Sequence, residues 1–384
     1  MQKNEPLTPI FVVMVSRIQH FLLACLCCSL STITYGQWDN SFFDVDRSDT
    51  QVGLVQLNVE NLGYFRNTEY KSRIDQGRTL FGYQMWPELT LQSSEKLQVS
   101  LGLFVQQDFG ADEAITNQPT FSFQYKHKGH FLRFGTLIGA MQHQLVEPLF
   151  DPERIIENRL ENGFQYKRFG KTLDAELWVD WRKMIYQNSP FREEFTSGVR
   201  VEPKKSFGNH VISLPITALS FHKGGEIDTS HMPTISNFNF DYGFRYRQVK
   251  KGGFLDSIDL QLHALYYEDI STEQVNYIDG LGQYASLAFY AKGFGLMLNY
   301  YDAHQFHNPM GDVAYRSVSA RNSTYIFDYR KLAMVRAQWQ TQIASDFNFM
   351  IRANLMRNLK SDVTDVVAEF YFRWTPRFDL FKIN

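Results

Sequence analysis

Asn237-Phe-Asn-Phe-Asp-Tyr-Gly-Phe-Arg-Tyr-Arg247 decides how the rest of this chain is read. Phe238, Phe240, Tyr242, Phe244 and Tyr246 fall on one face of an extended strand. Asn237, Asn239, Asp241, Gly243, Arg245 and Arg247 fall on the other. Successive side chains of a strand point to opposite sides, so period 2 makes one face fit for hydrocarbon and one fit for water. The same alternation recurs at 97–105 (Phe104 the one exception), 173–181, 258–266 and 366–374. These runs reach about 10–14 residues, against about 5–6 in soluble sheets. A tilted strand crosses a bilayer in about 9–11 residues.

Composition narrows the reading. The 384 residues carry Lys+Arg 39 against Asp+Glu 41, so the basic footprint of a nucleic-acid binder is absent and no nucleic-acid partner is expected. Phe 33, Tyr 20 and Trp 6 coexist with a mean hydropathy of −0.32, as expected when apolar residues alternate with polar ones. No apolar run of about 20 residues follows residue 37, which excludes a polytopic helical membrane protein.

Cys25, Cys27 and Cys28 are the only cysteines, all within a short apolar stretch, 18–30, that follows Arg17 and leads to Thr34-Tyr-Gly36. That layout predicts a signal peptide over 1–36 with cleavage near Gly36/Gln37, and Met14 offers a second start. Leu22-Leu-Ala-Cys25 as a loose lipobox and an uncleaved anchor are the alternatives. One domain, 37–384, remains.

Connections give an independent test. Short links at 93–96, 127–129, 169–171, 204–208, 250–253 and 292–293 alternate with longer ones near 62–77, 108–117, 140–160, 187–194, 223–234, 268–280 and 303–330. Transmembrane barrels have short periplasmic turns and longer outer loops. With closing strands at 331–343, 347–358 and 363–374, parity gives about 16 strands. Reading 324–330 and 379–383 as further strands would give 18, so the span is about 14–18. The expected fold is all-β, a transmembrane antiparallel up-and-down β-barrel.

On this evidence the chain resembles the outer-membrane β-barrels of Gram-negative bacteria and is porin-like in size and loop rhythm. The resemblance covers about 37–374 and is architectural. It implies an outer-membrane address and a passage for small hydrophilic solutes. It implies lipid and the barrel-assembly machinery as partners, and a wall that lipid or a homotrimer would cover equally well. The family's last strand ends in an aromatic residue; Phe370-Tyr-Phe-Arg-Trp374 is similar, although ten more residues follow. It also folds one long outer loop inward as a constriction. The matching segment, 140–160, holds Glu147, Asp151, Glu153 and Arg154.

Polar-phase residues face the lumen of such a barrel. They include Glu60, Glu88, Glu176, Asp180, Asp241, Asp259 and Glu369, with Arg182, Arg200, Arg245, Arg247, Arg352 and Arg373. Mixed signs suggest a water-filled pore with weak ion preference, and Arg245 with Arg247 forms the best anion-attracting pair. Alternatively these charges pair with one another and brace the wall. Trp178 and Tyr371 are expected inward, and Trp86, Trp181, Trp339 and Trp374 outward as interfacial girdles.

No Gly-x-Ser-x-Gly, P-loop or HExxH motif occurs, so no catalytic residue is singled out and the chain is expected not to be an enzyme. His304 and His307 near Asp302 read as solvated loop residues, and His143 and His231 have no partner visible in sequence. Neither a metal nor a cofactor is expected. The leading functional expectation is a porin-like diffusion channel. A barrel for assembly, export or binding of a polymer or partner is second, and an outer-membrane lipid or peptide hydrolase third.

Overall fold

The computed structural model describes residues 40–43, 51–112, 116–139, 143–250, 253–271 and 277–383. The expected signal peptide and lipobox lie outside the described residues. Among those described, sixteen antiparallel strands close into one barrel, each paired with its neighbour in sequence. They are β1 (Leu54–Glu69), β2 (Arg78–Gln92), β3 (Leu97–Asp108), β4 (Thr116–His127), β5 (His130–Thr136), β6 (Asn162–Arg168), β7 (Leu173–Lys183) and β8 (Glu193–Phe207). There follow β9 (His210–Ser213, resuming at Ile216–Gly224), β10 (Ile235–Val249), β11 (Ser257–Asp269), β12 (Asp279–Ala291) and β13 (Phe294–His304). The last three are β14 (Tyr329–Ala344), β15 (Phe347–Asn358) and β16 (Val363–Trp374, resuming at Arg377–Lys382). β16 closes the cylinder on β1, with Tyr371 opposite Tyr64.

Prolines explain the two interrupted strands. Pro215 and Pro376 lack the N–H a ladder needs. Their carbonyls still accept, from Gly243 N at 2.7 Å and Val59 N at 3.1 Å, so neighbouring strands stay joined. The tail at 377–382 therefore continues β16 along β1 and is not an extra strand. In the stretch 324–330, Ile326 makes only an isolated bridge to Val318, and β14 begins at Tyr329. The short link expected at 204–208 is narrower than that, because β8 runs on to Phe207.

Sidedness follows the alternation. On β10, Asn237, Asn239, Asp241 and Arg245 are buried, while Phe240, Tyr242 and Phe244 are exposed. Polar inside and apolar outside is the reverse of a soluble sandwich and is what a lipid-facing barrel requires. Trp181, Trp339 and Trp374 lie on the outward phase. Trp86 does not. It shares the buried phase of β2 with Gln84 and Glu88, gives its indole N–H to Thr120 Oγ1 at 3.0 Å, and meets Phe104 edge-on at 6.0 Å. Phe104 broke the alternation of its strand because it belongs to this inward aromatic pair.

Candidate functional site

Three stretches enter the lumen: 137–139 with 143–161 after β5, 305–328 after β13, and 40–43. Their composition gives the reason. Leu137, Val146, Leu149, Phe150, Ile155 and Ile156 are too apolar for a solvated loop, and folding inward removes them from water. Ile155 and Ile156, in the short helix α1 (Arg154–Glu157), pack with Phe42, Phe43, Leu62, Tyr64, Met350 and Tyr371. The inward segment 305–328 supplies Phe306, Ala314, Tyr315 and Val318 to a second cluster that holds Leu137, Val146 and Leu149.

Polar contacts weld the two long segments together. Asp151 N donates to Met310 O at 2.8 Å, Asp312 N to Glu147 O at 3.0 Å, and Asn308 Nδ2 to Leu149 O at 3.2 Å. Tyr315 donates its hydroxyl to Glu147 Oε2 at 2.7 Å. Wall arginines then hold the combined plug. Glu147 pairs with Arg336, and Glu153 lies 3.2 Å from Arg66 and 2.7 Å from Arg78. Arg66 also pairs with Glu369, which lies 3.6 Å from Arg352. Lower down, Glu60 pairs with Arg159 and lies 3.6 Å from Arg373, while Arg373 donates to Phe42 O at 2.7 Å.

His143 has the most concentrated acid–base surroundings. Its Nδ1 lies 2.7 Å from Glu176 Oε1 and its Nε2 2.7 Å from Glu161 Oε2, and the ring stacks on Trp178 at 4.0 Å. Arg154 reaches toward Glu161 at 3.7 Å and Asp180 at 3.9 Å. Burial works against charge on the imidazole, but Glu161 and Glu176 outweigh it and raise it to about 9. At neutral pH the ring is a cation donating from both nitrogens. It is equipped to fix carboxylates or to steady a developing anion. Sequence gave His143 no partner, because Glu161 and Glu176 come from different segments and only the inward fold joins them.

Carboxylates of the plug are pushed the other way. Burial, with Asp151 nearby and against Arg66 and Arg316, raises Asp312 to about 7. Burial likewise raises Glu153 to about 7, against the pull of Arg66. Burial and Arg316 lower His307 to about 3, so its ring is neutral; it meets Tyr267 edge-on at 5.7 Å. His304 instead lies beside Tyr329 at 4.5 Å, and His231 is exposed. Among the described residues no group of three His, Cys, Asp or Glu converges to hold a metal ion.

The expected lumen charges thus divide. Glu176 and Asp180 join the plug, as do Glu147, Glu153 and Arg154. Arg352 donates to Asn40 Oδ1 at 3.2 Å, Glu369 pairs with the wall residues Arg66 and Arg352, and Asp151 accepts Glu153 N at 2.8 Å. Arg200, Asp241, Arg245 and Asp259 pair along the wall: Arg245 with Asp259 at 2.8 Å, Arg200 with Glu202 at 2.5 Å, and Asp241 with His263 at 2.8 Å. Arg182 pairs with Glu194, and Arg247 stands half-buried opposite Asp259. Residues that the sequence did not mark, Arg66, Arg336, Arg159 and Glu161, carry as much of the network. On the periplasmic side of Glu60 and Arg373 lies a vestibule of about 640 Å³, also lined by Asn58, Trp86, Glu88, Asp346 and Arg377.

Solved structures share this architecture. Outer membrane protein OprD from Pseudomonas aeruginosa matches with TM-score 0.50 at 11% identity, over 87% of this chain and 97% of its own. A loop L8 deletion mutant of OmpT, an outer membrane protein of Vibrio cholerae, matches at 0.51 and 10%, over 84% and 100%. Pseudomonas aeruginosa OccK2 (OpdF) matches at 0.50 and 8%, over 86% and 100%. At such identities they establish the fold alone, that of a porin-like outer-membrane barrel. No individual curated protein sequence matches. A family model described as lipid A 3'-O-deacylase-type does match, over residues 46–383. That family is one of enzymes, so the expectation of a non-enzymatic barrel is corrected; the motifs sought in sequence were those of other hydrolase families. Matched along nearly its whole length, this chain belongs to the lipid A 3'-O-deacylase-type family.

Proposed function

We propose that this chain is an outer-membrane hydrolase that removes an ester-linked acyl chain from lipid A. The match of the family model over residues 46–383 carries the reading. The acid–base cluster on the inward segment is its best-equipped centre. Glu161 would accept a proton from water as the water oxygen adds to the acyl carbonyl. The positive charges of His143 and Arg154 would steady the oxyanion, and the ester C–O bond would break as Glu161 returns that proton to the departing sugar oxygen, giving free fatty acid and a sugar hydroxyl. The crevice beside them, lined by Leu145, Leu149, Phe150, Leu219 and Phe221, has about 20 Å³ of free volume, room for about one water, so an acyl chain would enter only by parting these side chains. Export through the leader over 1–36 and insertion by the barrel-assembly machinery would place the chain where that lipid is.

Mass spectrometry of lipid A incubated with the purified barrel tests this. The expected product lacks one 3'-linked acyl chain, and His143→Gln lowers kcat by about 10²-fold or more. Intact lipid A beside a folded barrel would overturn the reading. A second reading, a diffusion channel for small hydrophilic solutes, is favoured by the polar vestibule of about 640 Å³. Stable conductance steps in a planar bilayer would support it, and a silent folded barrel would remove it.

A further inference from the structure

We propose that one arc of the outer rim, carrying Lys71, Arg73, Arg321 and Lys360, binds the phosphate groups of an outer-leaflet glycolipid. All four residues are exposed, on the three connections at 70–77, 305–328 and 359–362. The sheet order places these connections over four adjacent strands, β14, β15, β16 and β1. At about 4.8 Å per strand the arc is roughly 15 Å wide.

Buried contacts hold the arc in shape. Asp365 accepts the N–H groups of Lys71 at 2.7 Å and Ser72 at 2.9 Å, and the Ser72 hydroxyl at 2.6 Å. Ser319 donates to Arg73 O at 2.7 Å, Ala320 N to Ile74 O at 2.8 Å, and Ile74 is fully buried. Asn358 accepts Lys360 N at 2.9 Å. The backbone that presents the cations is therefore fixed before a ligand arrives, which lowers the ordering cost of binding.

Charge pairing separates these four from most of the rim. Lys331 pairs with Asp302 at 2.9 Å, Lys223 with Glu194 at 3.1 Å, Arg357 with Asp362, and Arg78 with Glu153 and Glu157. At the end of β7 Lys183 lies over Phe191 at 4.0 Å, and on the connection that follows Arg192 donates to Pro233 O. Lys71, Arg73, Arg321 and Lys360 have no carboxylate within ion-pair distance among the described residues. Arg73 instead lies over Tyr325 at 5.3 Å and Lys360 over Tyr329 at 4.1 Å. A ring contact occupies one side of a cation and leaves the other for an anion. Asp75, Asp328 and Asp362 lie on the arc's own connections, but Asp75 accepts Gln76 N, Asp328 accepts from Tyr277 and Gln305, and Asp362 pairs with Arg357. Elsewhere the rim carries Asp108, Asp112, Glu226 and Asp228.

The neighbouring surface selects a lipid over a free anion. Tyr300, Tyr329, Val335 and Leu355 are exposed on the outward face of β13, β14 and β15 directly below the arc. Cations above a tyrosine-edged apolar wall sit at headgroup height, so acyl chains and phosphates are met together. The binding does not depend on hydrolysis, although it would supply substrate recognition for the hydrolase reading.

Native mass spectrometry of the full detergent-solubilised barrel tests the assignment with three probes: diphosphorylated lipid A, its dephosphorylated form, and inorganic phosphate. The phosphorylated lipid should be retained at least tenfold more tightly than the dephosphorylated one. The variant K71Q/R73Q/R321Q/K360Q should remove that difference, while K331Q/R357Q keeps it. Equal retention of the two lipids, or an unaltered quadruple variant, overturns the proposal. So does inorganic phosphate competing at the lipid's own concentration, which would assign the arc to free phosphate. Retention is read without turnover, so a barrel that binds but never deacylates sinks only the hydrolase reading. Where turnover is seen, the quadruple variant should raise KM about tenfold.

Discussion

The outer and periplasmic halves of the lumen use the same residue types to opposite ends. In the outer half, Arg66 and Arg336 on the wall meet Glu153 and Glu147 on the returning segment after β5, and the interior is crossed by ion pairs. In the periplasmic half, Arg245 with Asp259, Arg200 with Glu202 and Lys204 with Asp174 pair along the wall itself, and a vestibule of about 640 Å³ lies beside Glu60, Glu88 and Arg373. A charged wall therefore does not by itself make a filter or a closure. What differs is whether a connecting segment is apolar enough to fold back among the charges.

Breaking one pair in each half should expose the contrast most strongly. Glu369→Gln leaves the buried Arg66 and Arg352 short of a counter-charge, and loss of a partner from a buried pair costs about 3–5 kcal/mol. Asp174→Asn releases Lys204 from a pair that is about one-fifth exposed, and the ammonium rehydrates at a cost of about 1 kcal/mol or less. Urea unfolding in detergent, followed by the heat-modifiable mobility of the barrel, compares the two. Equal losses would mean that the outer half is no drier than the periplasmic half.

Titration should loosen the plug and spare the wall below it. Asp312 and Glu153 are raised to about 7, above their unfolded values, so their contribution is full in acid and is lost as pH rises through 7. His143 is raised to about 9, so what it adds is present below its unfolded value and is lost as pH rises through 9. Both signs agree. Proteolytic cutting within 143–159 should increase from pH 5 to pH 10 in two steps, and His143→Gln should abolish the upper step alone. A flat profile would show that these groups do not govern the packing of the segment.

How much of this was legible in the sequence depends on whether a contact is local. The barrel and its strand number follow from alternation and turn spacing, which belong to neighbouring residues, whereas the inward course of the segment after β5 was implied by the porin resemblance. The partners of His143 were not legible, because Glu161 and Glu176 lie 18 and 33 positions away and meet it only when the segment returns. Arg66 and Arg336 went unmarked for the same reason. Their strands signal an inward side chain but say nothing of the loop that meets it. The rim arc, too, is assembled from three connections far apart in the chain.

Tryptophan provides the finest test of inside against outside. Their places near strand ends put Trp86 and Trp374 in one expected girdle, yet Trp86 is buried and bonded to Thr120, while Trp374 is 45% exposed and donates to Asp346 Oδ2 at 2.8 Å. Phase decides between them. Trp86 falls in step with Gln84 and Glu88, Trp374 with Phe370 and Phe372. Trp86→Phe therefore deprives a buried Thr120 hydroxyl of its donor and should cost about 1 kcal/mol wherever the barrel is placed. Trp374→Phe removes an interfacial anchor, so its effect should be smaller in detergent and grow in bilayers. Unfolding each variant in micelles and in lipid vesicles separates them, since only the outward residue responds to the change of solvent. A Trp86 variant that responds to lipid would place that residue on the outer face and undo the phase argument for β2.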